Sequence, residues 1–282
     1  PVVSVSGNTI TCDGVSSTLT ASGADTYVWN TSASTSAITV SPSSTTVYSV
    51  VGTNTINGCT NSVSHTLTIN PNPVVTASTN STTLCNTQSA TLTAGGATSY
   101  TWSTGSNATS IVVTPAVTTT YTLNGEFSTG CSGSSVVTIT VFNNPTVTAV
   151  PGSTAVCSGS PLNLTANGAS SYAWSTGSTN ANITVNPVAN TVYTVTGTNG
   201  TGCTATATVD VTVYVNPTIS LGADVEIYSG DSYQFNPLQT GTVTYSWSPS
   251  AYLNSTSVIN PVTTPESDIT YILTVTSIDG CT

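Results

Sequence analysis

The chain repeats itself with a period of 72 residues, and this repetition constrains its fold more than any other feature. The stretch SYTWSTGS at 99–106 returns as SYAWSTGS at 171–178. The same spacing separates four prolines that open alternating runs such as PVVSV and PTVTA: Pro1, Pro73, Pro145 and Pro217. A fixed period of this length indicates tandem structural units. The sequence therefore predicts four domains, with boundaries 1–72, 73–144, 145–216 and 217–282.

Each unit has one tryptophan in a Tyr-x-Trp motif and a later tyrosine that opens a strand-like run. We predict that these aromatic residues lie in the core: Trp29, Trp102, Trp174, Trp247, Tyr48, Tyr121, Tyr193 and Tyr271. Within each unit, apolar residues alternate with Ser and Thr, as at Val137, Ile139 and Val141, which follow the later tyrosine of the second unit. A period of two indicates half-buried β-strands. Turns are predicted at Gly95–Gly96, Thr104–Gly105 and Ser132–Gly133, the last of these just before the final strand of the second unit.

The predicted fold class is all-β, with four tandem immunoglobulin-like β-sandwich domains in a linear array. Six or seven strands fit into 72 residues, the Trp falls on the third strand, and the later Tyr falls where such sandwiches keep a tyrosine corner. The fourth unit stops at Cys281-Thr282, before the segment that forms the last strand elsewhere. We therefore expect its last strand to be missing, because the parent protein is longer or because a neighbouring subunit donates the strand.

The run LCNTQSATLTAGGATSYTWSTGSNATSIVVTPAVTTTYTLNGEFSTGC resembles the Ig-like and PKD-like repeats of large secreted surface proteins of Bacteroidetes. These include proteins exported by type IX secretion and proteins associated with gliding adhesins. The WSP motif of the fourth unit is similar to a variant of the same repeats. The resemblance covers all four units and implies an Ig-like or PKD-like array on a cell surface.

The charge balance excludes several classes of partner. The chain has 10 Asp and Glu, no Lys or Arg, and a net charge of -10. Nucleic-acid binding and anionic membrane surfaces both require clustered cations, so we expect neither partner. No apolar run approaches the roughly 20 residues of a membrane span, and we expect no membrane insertion.

Few residues suggest site chemistry, and we expect no enzyme activity and no cofactor. His65 has the parity of inward-facing residues and is interpreted as a half-buried structural histidine rather than a catalytic base. Six acids fall in the fourth unit, where they suggest either solvated carboxylates or a calcium site near a repeat junction: Asp224, Glu226, Asp231, Glu266, Asp268 and Asp279. Hydroxyl-rich strand faces suit either hydration or O-linked glycosylation.

Seven cysteines in a chain of this kind indicate disulfides and an oxidising compartment. Pairing within repeats would give Cys12–Cys59, Cys85–Cys131 and Cys157–Cys203, but in a seven-strand sandwich these turns lie at opposite poles, farther apart than a disulfide spans. Stacked head to tail, the first turn of one unit faces the last hairpin of the next. This favours Cys12–Cys131, Cys85–Cys203 and Cys157–Cys281, with Cys59 left for an upstream unit. A six-strand variant would favour the first pairing, so both stay open.

These features predict a non-enzymatic structural segment of an extracellular stalk, filament or adhesin. Its expected partners are other copies of itself, neighbouring repeats of a longer chain, and surface glycans. Two other functions are compatible with the sequence. One is a carbohydrate- or partner-binding module whose exposed aromatic residues line a groove. The other is the spacer of a larger secreted hydrolase.

Overall fold

The computed structural model describes residues 1–282, apart from the side chain of Ser153. The described chain consists of β-strands, turns and loops. It divides into two compact units, Pro1–Asn143 and Asn144–Thr282. Each unit contains two of the sequence repeats.

Repeat 1, in the first unit, has two facing sheets. Its strands are β1 (Ser4–Ser6), β2 (Ile10–Cys12), β3 (Ser17–Ser22), β4 (Thr26–Trp29), β5 (Ala37–Val40), β6 (Thr46–Thr53) and β7 (Thr60–Asn70). One sheet has the order β1-β3-β5 and the other β2-β7-β6-β4. The first strand is split, because β1 pairs antiparallel with β3 whereas β2 crosses to the other sheet and pairs parallel with β7.

Repeats 2 and 3 follow the same topology. Repeat 2 contains β8 (Thr76–Thr79), β9 (Thr83–Cys85), β10 (Ala90–Gly95), β11 (Ser99–Trp102), β12 (Ser110–Val113), β13 (Thr119–Glu126) and β14 (Ser132–Phe142). Repeat 3, in the second unit, contains β15 (Thr148–Val150), β16 (Ser153–Cys157), β17 (Leu162–Asn167), β18 (Ser171–Trp174), β19 (Asn182–Val185), β20 (Thr191–Thr198) and β21 (Thr204–Tyr214). Each forms a three-stranded and a four-stranded sheet. This two-sheet arrangement is an Ig-like sandwich.

Alternation along the strands explains why the sheets bury one face. In repeat 2, Leu92 of β10, Leu123 of β13 and Ile139 of β14 are fully buried, whereas their strand neighbours are polar and at least partly exposed, and all of them except Asn124 are threonines. The inward residues of both sheets form one core cluster in each of the first three repeats. The turn predicted at Ser132–Gly133 is wrong. These residues begin β14, and the reversal lies just before them, where the Gly130 amide donates to the Phe127 carbonyl.

Two glycines let the backbone of repeat 2 pack closely. Gly96 has φ +89°, and a side chain there would overlap the carbonyl oxygen of Val74. Gly125, on β13, faces Val75, and a Cβ at Gly125 would lie 2.7 Å from Val75 Cγ2 and 2.8 Å from Ala97 Cβ. These glycines therefore seat the segment before β8 against the sandwich.

Repeat 4 is built from shorter strands. They are β22 (Ile219–Ser220), β23 (Tyr233–Gln234), β24 (Leu238–Gln239), β25 (Val243–Ser248), β26 (Val262–Thr263) and β27 (Ile272–Ser277). They form three two-stranded sheets, β22-β24, β23-β26 and β25-β27. Phe235 packs against Trp247 and Tyr271, with ring centroids 4.6 and 5.5 Å apart. Among the described residues, no strand follows β27.

Candidate functional site: the disulfide-linked repeat junctions

The cysteines lie at matching turns in successive repeats. Cys12 ends β2, and its carbonyl accepts a hydrogen bond from the Val15 amide at 3.1 Å. Cys131 lies in the hairpin between β13 and β14, where its carbonyl accepts from the Phe127 amide at 2.9 Å. One turn follows a short strand and the other precedes a long one. The short strand and the last long strand run parallel. The position of Cys12, after the short strand, and the position of Cys131, before the long one, therefore lie at opposite ends of a sandwich.

A disulfide joins repeats 1 and 2. Cys12 is bonded to Cys131 with a Cα–Cα distance of 5.6 Å, across 119 residues of sequence. In the second unit Cys157 is bonded to Cys281, again at 5.6 Å. Both Cys131 and Cys281 are buried. In these two cases the structure has the pairing between repeats, and the alternatives Cys12–Cys59, Cys85–Cys131 and Cys157–Cys203 are not formed.

An asparagine in the linker reinforces each of these junctions. Asn72 Nδ2 donates to the carbonyl oxygen of Asp13, the residue after Cys12, at 3.1 Å. Asn216 Nδ2 donates to the carbonyl oxygen of Ser158, the residue after Cys157, at 3.2 Å. Each asparagine directly precedes the proline that opens the next repeat. Sequence reasoning missed this contact, although the Asn-Pro pair before three of the four repeats was a visible signal.

Three other cysteines are not part of these two bonds. Cys59 occupies in repeat 1 the hairpin position that Cys131 occupies in repeat 2, and it is free and exposed. Cys85 and Cys203 belong to different units, and neither is a free thiol. The predicted Cys85–Cys203 pairing stays a prediction.

The four tryptophans are core residues and each indole is hydrogen-bonded. The Nε1 groups of Trp29, Trp102 and Trp174 donate to the carbonyl oxygen six residues later, at 2.9 to 3.0 Å. Trp247 Nε1 donates to Val258 O at 2.9 Å. All four side chains are buried. Their faces are therefore not available to stack on a sugar ring, as a binding groove would require.

The later tyrosine of each repeat matches the predicted core position in three repeats but not the predicted tyrosine corner. Tyr48, Tyr121 and Tyr193 are buried as predicted, whereas Tyr271 is half-buried and lies just before β27. Burial raises the pKa of the Tyr121 phenol. The hydroxyl that closes a local turn belongs instead to the tyrosine of the Tyr-x-Trp motif, so the placement of the tyrosine corner at the later Tyr is wrong.

That turn has the same geometry in three repeats. Tyr27 Oη donates to Ala24 O at 2.8 Å and accepts from the Ala24 amide at 2.9 Å. Tyr100 pairs in the same way with Ala97, and Tyr172 with Ala169. The signal in the sequence was the Gly-Ala pair that ends three residues before each of these tyrosines.

The residues that suggested site chemistry are dispersed. His65 is half-buried on β7, opposite Tyr48, and its Nε2 lies 2.8 Å from Asn8 O. The six acids of repeat 4 are all exposed. Among the described residues, no three His, Cys, Asp or Glu side chains are placed to hold a metal ion. The described chain also has no helix with the length and hydropathy that a membrane crossing requires.

Searches against family models and curated proteins give no match. Solved structures with a similar fold include the eight N-terminal Ig domains of Down syndrome cell adhesion molecule, at 13% identity and a TM-score of 0.31. The match covers 96% of this chain but only 54% of that one. The three N-terminal domains of the bacteriophage RB49 outer capsid protein Hoc match at 20% identity, 74% and 84% coverage and a TM-score of 0.28. Part of a 1.5-MDa bacterial ice-binding adhesin matches at 15% identity, 76% and 98% coverage and a TM-score of 0.28. The similarity extends to the Ig-like fold.

Proposed function

We propose that this chain is a non-enzymatic structural segment of an extracellular stalk, filament or adhesin. In this segment a disulfide staple, a bond between the cysteines of two consecutive sandwiches, links each sandwich to the next. The observation that carries the proposal is the disulfide between one repeat and the next, seen at Cys12–Cys131 and Cys157–Cys281. A binding module needs no bond between its domains. A second covalent bond at the junction suits a load-bearing array, because tension acts on the connections between folded units as well as on the units themselves.

The position of each staple suits that role. The cross-link joins the end of the first short strand of one sandwich to the last hairpin of the next, so it lies in parallel with the Asn-Pro linker. A second covalent connection limits bending at the junction and shares the load with the linker. Isolated sandwiches of about 70 residues are marginally stable, so a connection that does not depend on the linker alone is advantageous under tension.

The same logic extends to the remaining cysteines. We propose that Cys85 pairs with Cys203, which would staple repeat 2 to repeat 3 in the register of the other two bonds. Cys59 lies at the equivalent hairpin of repeat 1, so it is available to a cysteine of a preceding repeat. Disulfides require an oxidising compartment, which supports an extracellular or surface location. A source among the secreted surface proteins of Bacteroidetes rests on the resemblance of the repeats.

Peptide mapping of the unreduced protein tests the register. The chain has no Lys or Arg, so pepsin at low pH is the suitable protease, and low pH also suppresses disulfide exchange. We expect linked peptides for Cys12–Cys131, Cys85–Cys203 and Cys157–Cys281. A peptide linking Cys85 to Cys131 would contradict the stapled array.

Force spectroscopy tests the mechanical role. We expect the oxidised protein to release only the chain that lies outside the cross-linked loops, and the reduced protein to give longer extensions and bending at the junctions. The matched control is the double variant Cys12→Ser with Cys131→Ser, which removes one staple and leaves Cys157–Cys281 in place. Equal stiffness of the oxidised protein and this variant would refute the proposal.

A further inference from the structure

Asn-Gly pairs occur at four places in the chain: Asn57, Asn124, Asn167 and Asn199. In such a pair the amide nitrogen of the glycine can attack the side-chain carbonyl carbon of the asparagine, because glycine has no side chain that shields its nitrogen. The attack also needs backbone freedom at both residues. The four pairs have the same local chemistry, so the structure around each pair decides whether it reacts.

The pair Asn57–Gly58 lies in the hairpin between β6 and β7. Both residues are exposed, and neither belongs to a strand. Asn57 Oδ1 accepts a hydrogen bond from the Cys59 amide at 3.1 Å, which makes an Asx turn. The ring of atoms that this bond closes contains both reacting atoms, Asn57 Cγ and the Gly58 nitrogen. The turn therefore keeps the two reacting atoms close together in the folded protein.

One hydrogen bond opposes the reaction, and it is a weak restraint. The Gly58 amide donates to Asn54 O at 2.9 Å, and this bond must open before the nitrogen can attack. The bond lies in an exposed turn, outside the pairing of β6 with β7, which ends at Thr53 and Thr60. Local opening of such a turn costs little free energy, because no strand pairing is lost.

Two of the other pairs are held by strands. Asn124 and Gly125 lie within β13, which pairs with β11 on one side and with β14 on the other, and Gly125 is buried. Asn167 ends β17, which pairs with β15. The glycine that follows it, Gly168, packs so closely that an added Cβ would overlap the carbonyl oxygen of Thr146. Ring closure at either pair therefore requires strand pairing to open first.

The remaining pair also has an Asx turn, but its side chain is held more firmly. Asn199 Oδ1 accepts from the Thr201 amide at 3.1 Å, from Thr201 Oγ1 at 2.8 Å and from the Cys203 amide at 3.0 Å. Cys203 is buried and is not a free thiol. Attack by the Gly200 nitrogen disturbs all three of these bonds, whereas attack at Asn57 disturbs a single bond from an exposed residue. Asn57 is therefore the least restrained of the four asparagines.

We propose that Asn57 is a self-modification site, which is converted to aspartate and isoaspartate in the folded protein with water as the only co-reactant. The Gly58 nitrogen attacks Asn57 Cγ and forms a new carbon–nitrogen bond. The bond from Cγ to Nδ2 breaks, and Nδ2 leaves as ammonia with the proton of the Gly58 amide. Water then opens the resulting succinimide ring. Addition at Cγ gives aspartate, and addition at the main-chain carbonyl carbon gives isoaspartate, with no oxidation or reduction in either step.

The product changes the surface of repeat 1. Each conversion adds a carboxylate to a chain that has 10 Asp and Glu and no Lys or Arg to neutralise them. Isoaspartate also lengthens the main chain of the hairpin that carries the free thiol of Cys59. The reaction needs no enzyme, so the acidity of the protein increases with its age.

The experiment follows the 282-residue chain at mildly alkaline pH, which favours loss of the glycine amide proton. Cys59 is first blocked with iodoacetamide, so that thiol–disulfide exchange does not occur. Samples taken over several weeks are digested with pepsin at low pH, and mass spectrometry measures the asparagine lost at each Asn-Gly pair. A parallel sample that is reduced, alkylated and unfolded in guanidinium chloride gives the rate of each pair without structure.

In the unfolded sample we expect the four pairs to react at similar rates. In the folded protein we expect Asn57 to react within about threefold of its unfolded rate, whereas Asn124 and Asn167 slow by about tenfold or more, because their strands must open. Asn199 should slow more than Asn57. Anion-exchange chromatography should show a more acidic form that accumulates at the rate of Asn57 loss.

The matched variant is Asn57→Gln, which keeps a side-chain amide in the exposed turn but makes ring closure much slower. We expect this variant to form the acidic species far more slowly than the unmodified chain. The proposal is overturned if folding slows Asn57 as strongly as Asn124, or if Asn199 slows less than Asn57. It is also overturned if Asn57→Gln becomes acidic as fast as the unmodified chain. The staples stay oxidised in every folded sample, so the outcome does not depend on the mechanical role.

Discussion

Repeats 2 and 4 use the same aromatic core but differ in what holds their sheets together. Trp102 and Trp247 are both buried, and both donate Nε1 to a backbone carbonyl. Repeat 2 surrounds its tryptophan with a three-stranded and a four-stranded sheet, whereas repeat 4 has only pairs of strands. The sequence motif that builds the core is therefore not enough to build the sheets. Repeat 4 keeps the buried tryptophan although its strands are short and pair only two by two.

The described part of repeat 4 also has no strand that corresponds to β9, the short edge strand of repeat 2. β9 is a parallel partner of β14 and has no other strand neighbour in its sheet. In repeat 4 the Asp231 amide donates to Tyr228 O as the Gln88 amide does to Cys85 O. Residues 224–228 therefore correspond in position to β9, and they form no strand. A short strand at a sheet edge gains its backbone hydrogen bonds only from its neighbour, so it forms only when the neighbour is present.

The largest effect is expected from the disulfide that anchors repeat 4. Replacing Cys157 and Cys281 by Ser should remove roughly 3 to 5 kcal/mol through the lost loop closure, and a sandwich of short paired strands cannot compensate for this loss. We expect repeat 4 to unfold while repeat 3 stays folded, which hydrogen exchange measures.

Its matched control is the same replacement at Cys12 and Cys131. Repeats 1 and 2 each have two complete sheets, so we expect both sandwiches to remain folded and only the junction to loosen. Unfolding of repeat 1 or 2 in this control would show that the staple, rather than the sheets, stabilises every repeat.

The next largest loss of stability is expected at a glycine with positive φ, and an equivalent glycine in repeat 4 provides the comparison. Gly96→Ala should destabilise repeat 2 by roughly 3 kcal/mol or more, because the new Cβ meets the Val74 carbonyl and the backbone has φ +89°. Gly241 precedes Tyr245 by the same four residues, also has positive φ, and faces open space. Gly241→Ala should therefore cost only about 1 to 2 kcal/mol, the strain of the backbone alone. Chemical denaturation measures both, and equal losses would contradict the close contact in repeat 2.

Exchanging one core residue between the repeats sharpens the comparison. Gly125 pairs with Tyr100 across the sheet, and Val275 pairs with Tyr245 at the same place in repeat 4, where it is buried. Gly125→Val should cost about 1 to 3 kcal/mol, because Val75 and Ala97 already fill the space.

The reverse change, Val275→Gly, should cost roughly 2 to 4 kcal/mol through the cavity left in the core of repeat 4. Denaturant titrations of the two variants provide the measurement. A neutral result for Gly125→Val would mean that the segment before β8 moves freely away from the sandwich.

The smallest effect is expected at a buried hydroxyl. Ser17 is 2% exposed and its Oγ has no hydrogen-bond partner, whereas repeat 2 has Ala90 at the same position, fully buried. Ser17→Ala should stabilise repeat 1 by about 1 kcal/mol, because an unsatisfied buried hydroxyl is removed. Ala90→Ser should destabilise repeat 2 by a similar amount. Calorimetric unfolding of the two variants should show shifts of opposite sign, and shifts of the same sign would argue against this interpretation.

Much of the fold could be predicted because it depends on local patterns. The 72-residue period defined the repeats, the alternation of apolar and hydroxyl residues identified the strands, and the spacing of Trp and Tyr identified the core. The absence of cations excluded nucleic acid as a partner on charge alone. The sequence also favoured pairing of cysteines between repeats, as in Cys12–Cys131 and Cys157–Cys281. Strand order determines which turns share an end of a sandwich, and it places the two cysteine-bearing turns of one repeat at opposite ends.

Only the tertiary structure decided which groups meet. The Asn72 amide reaches Asp13, and the Tyr27 hydroxyl, rather than that of Tyr48, closes a turn. Residues 224–228 have the alternation of a strand but form none, because their hydrogen bonds would have to come from a strand that lies elsewhere in the sheet. Periodicity is a property of a segment, whereas a hydrogen-bond partner is a property of the assembled sandwich.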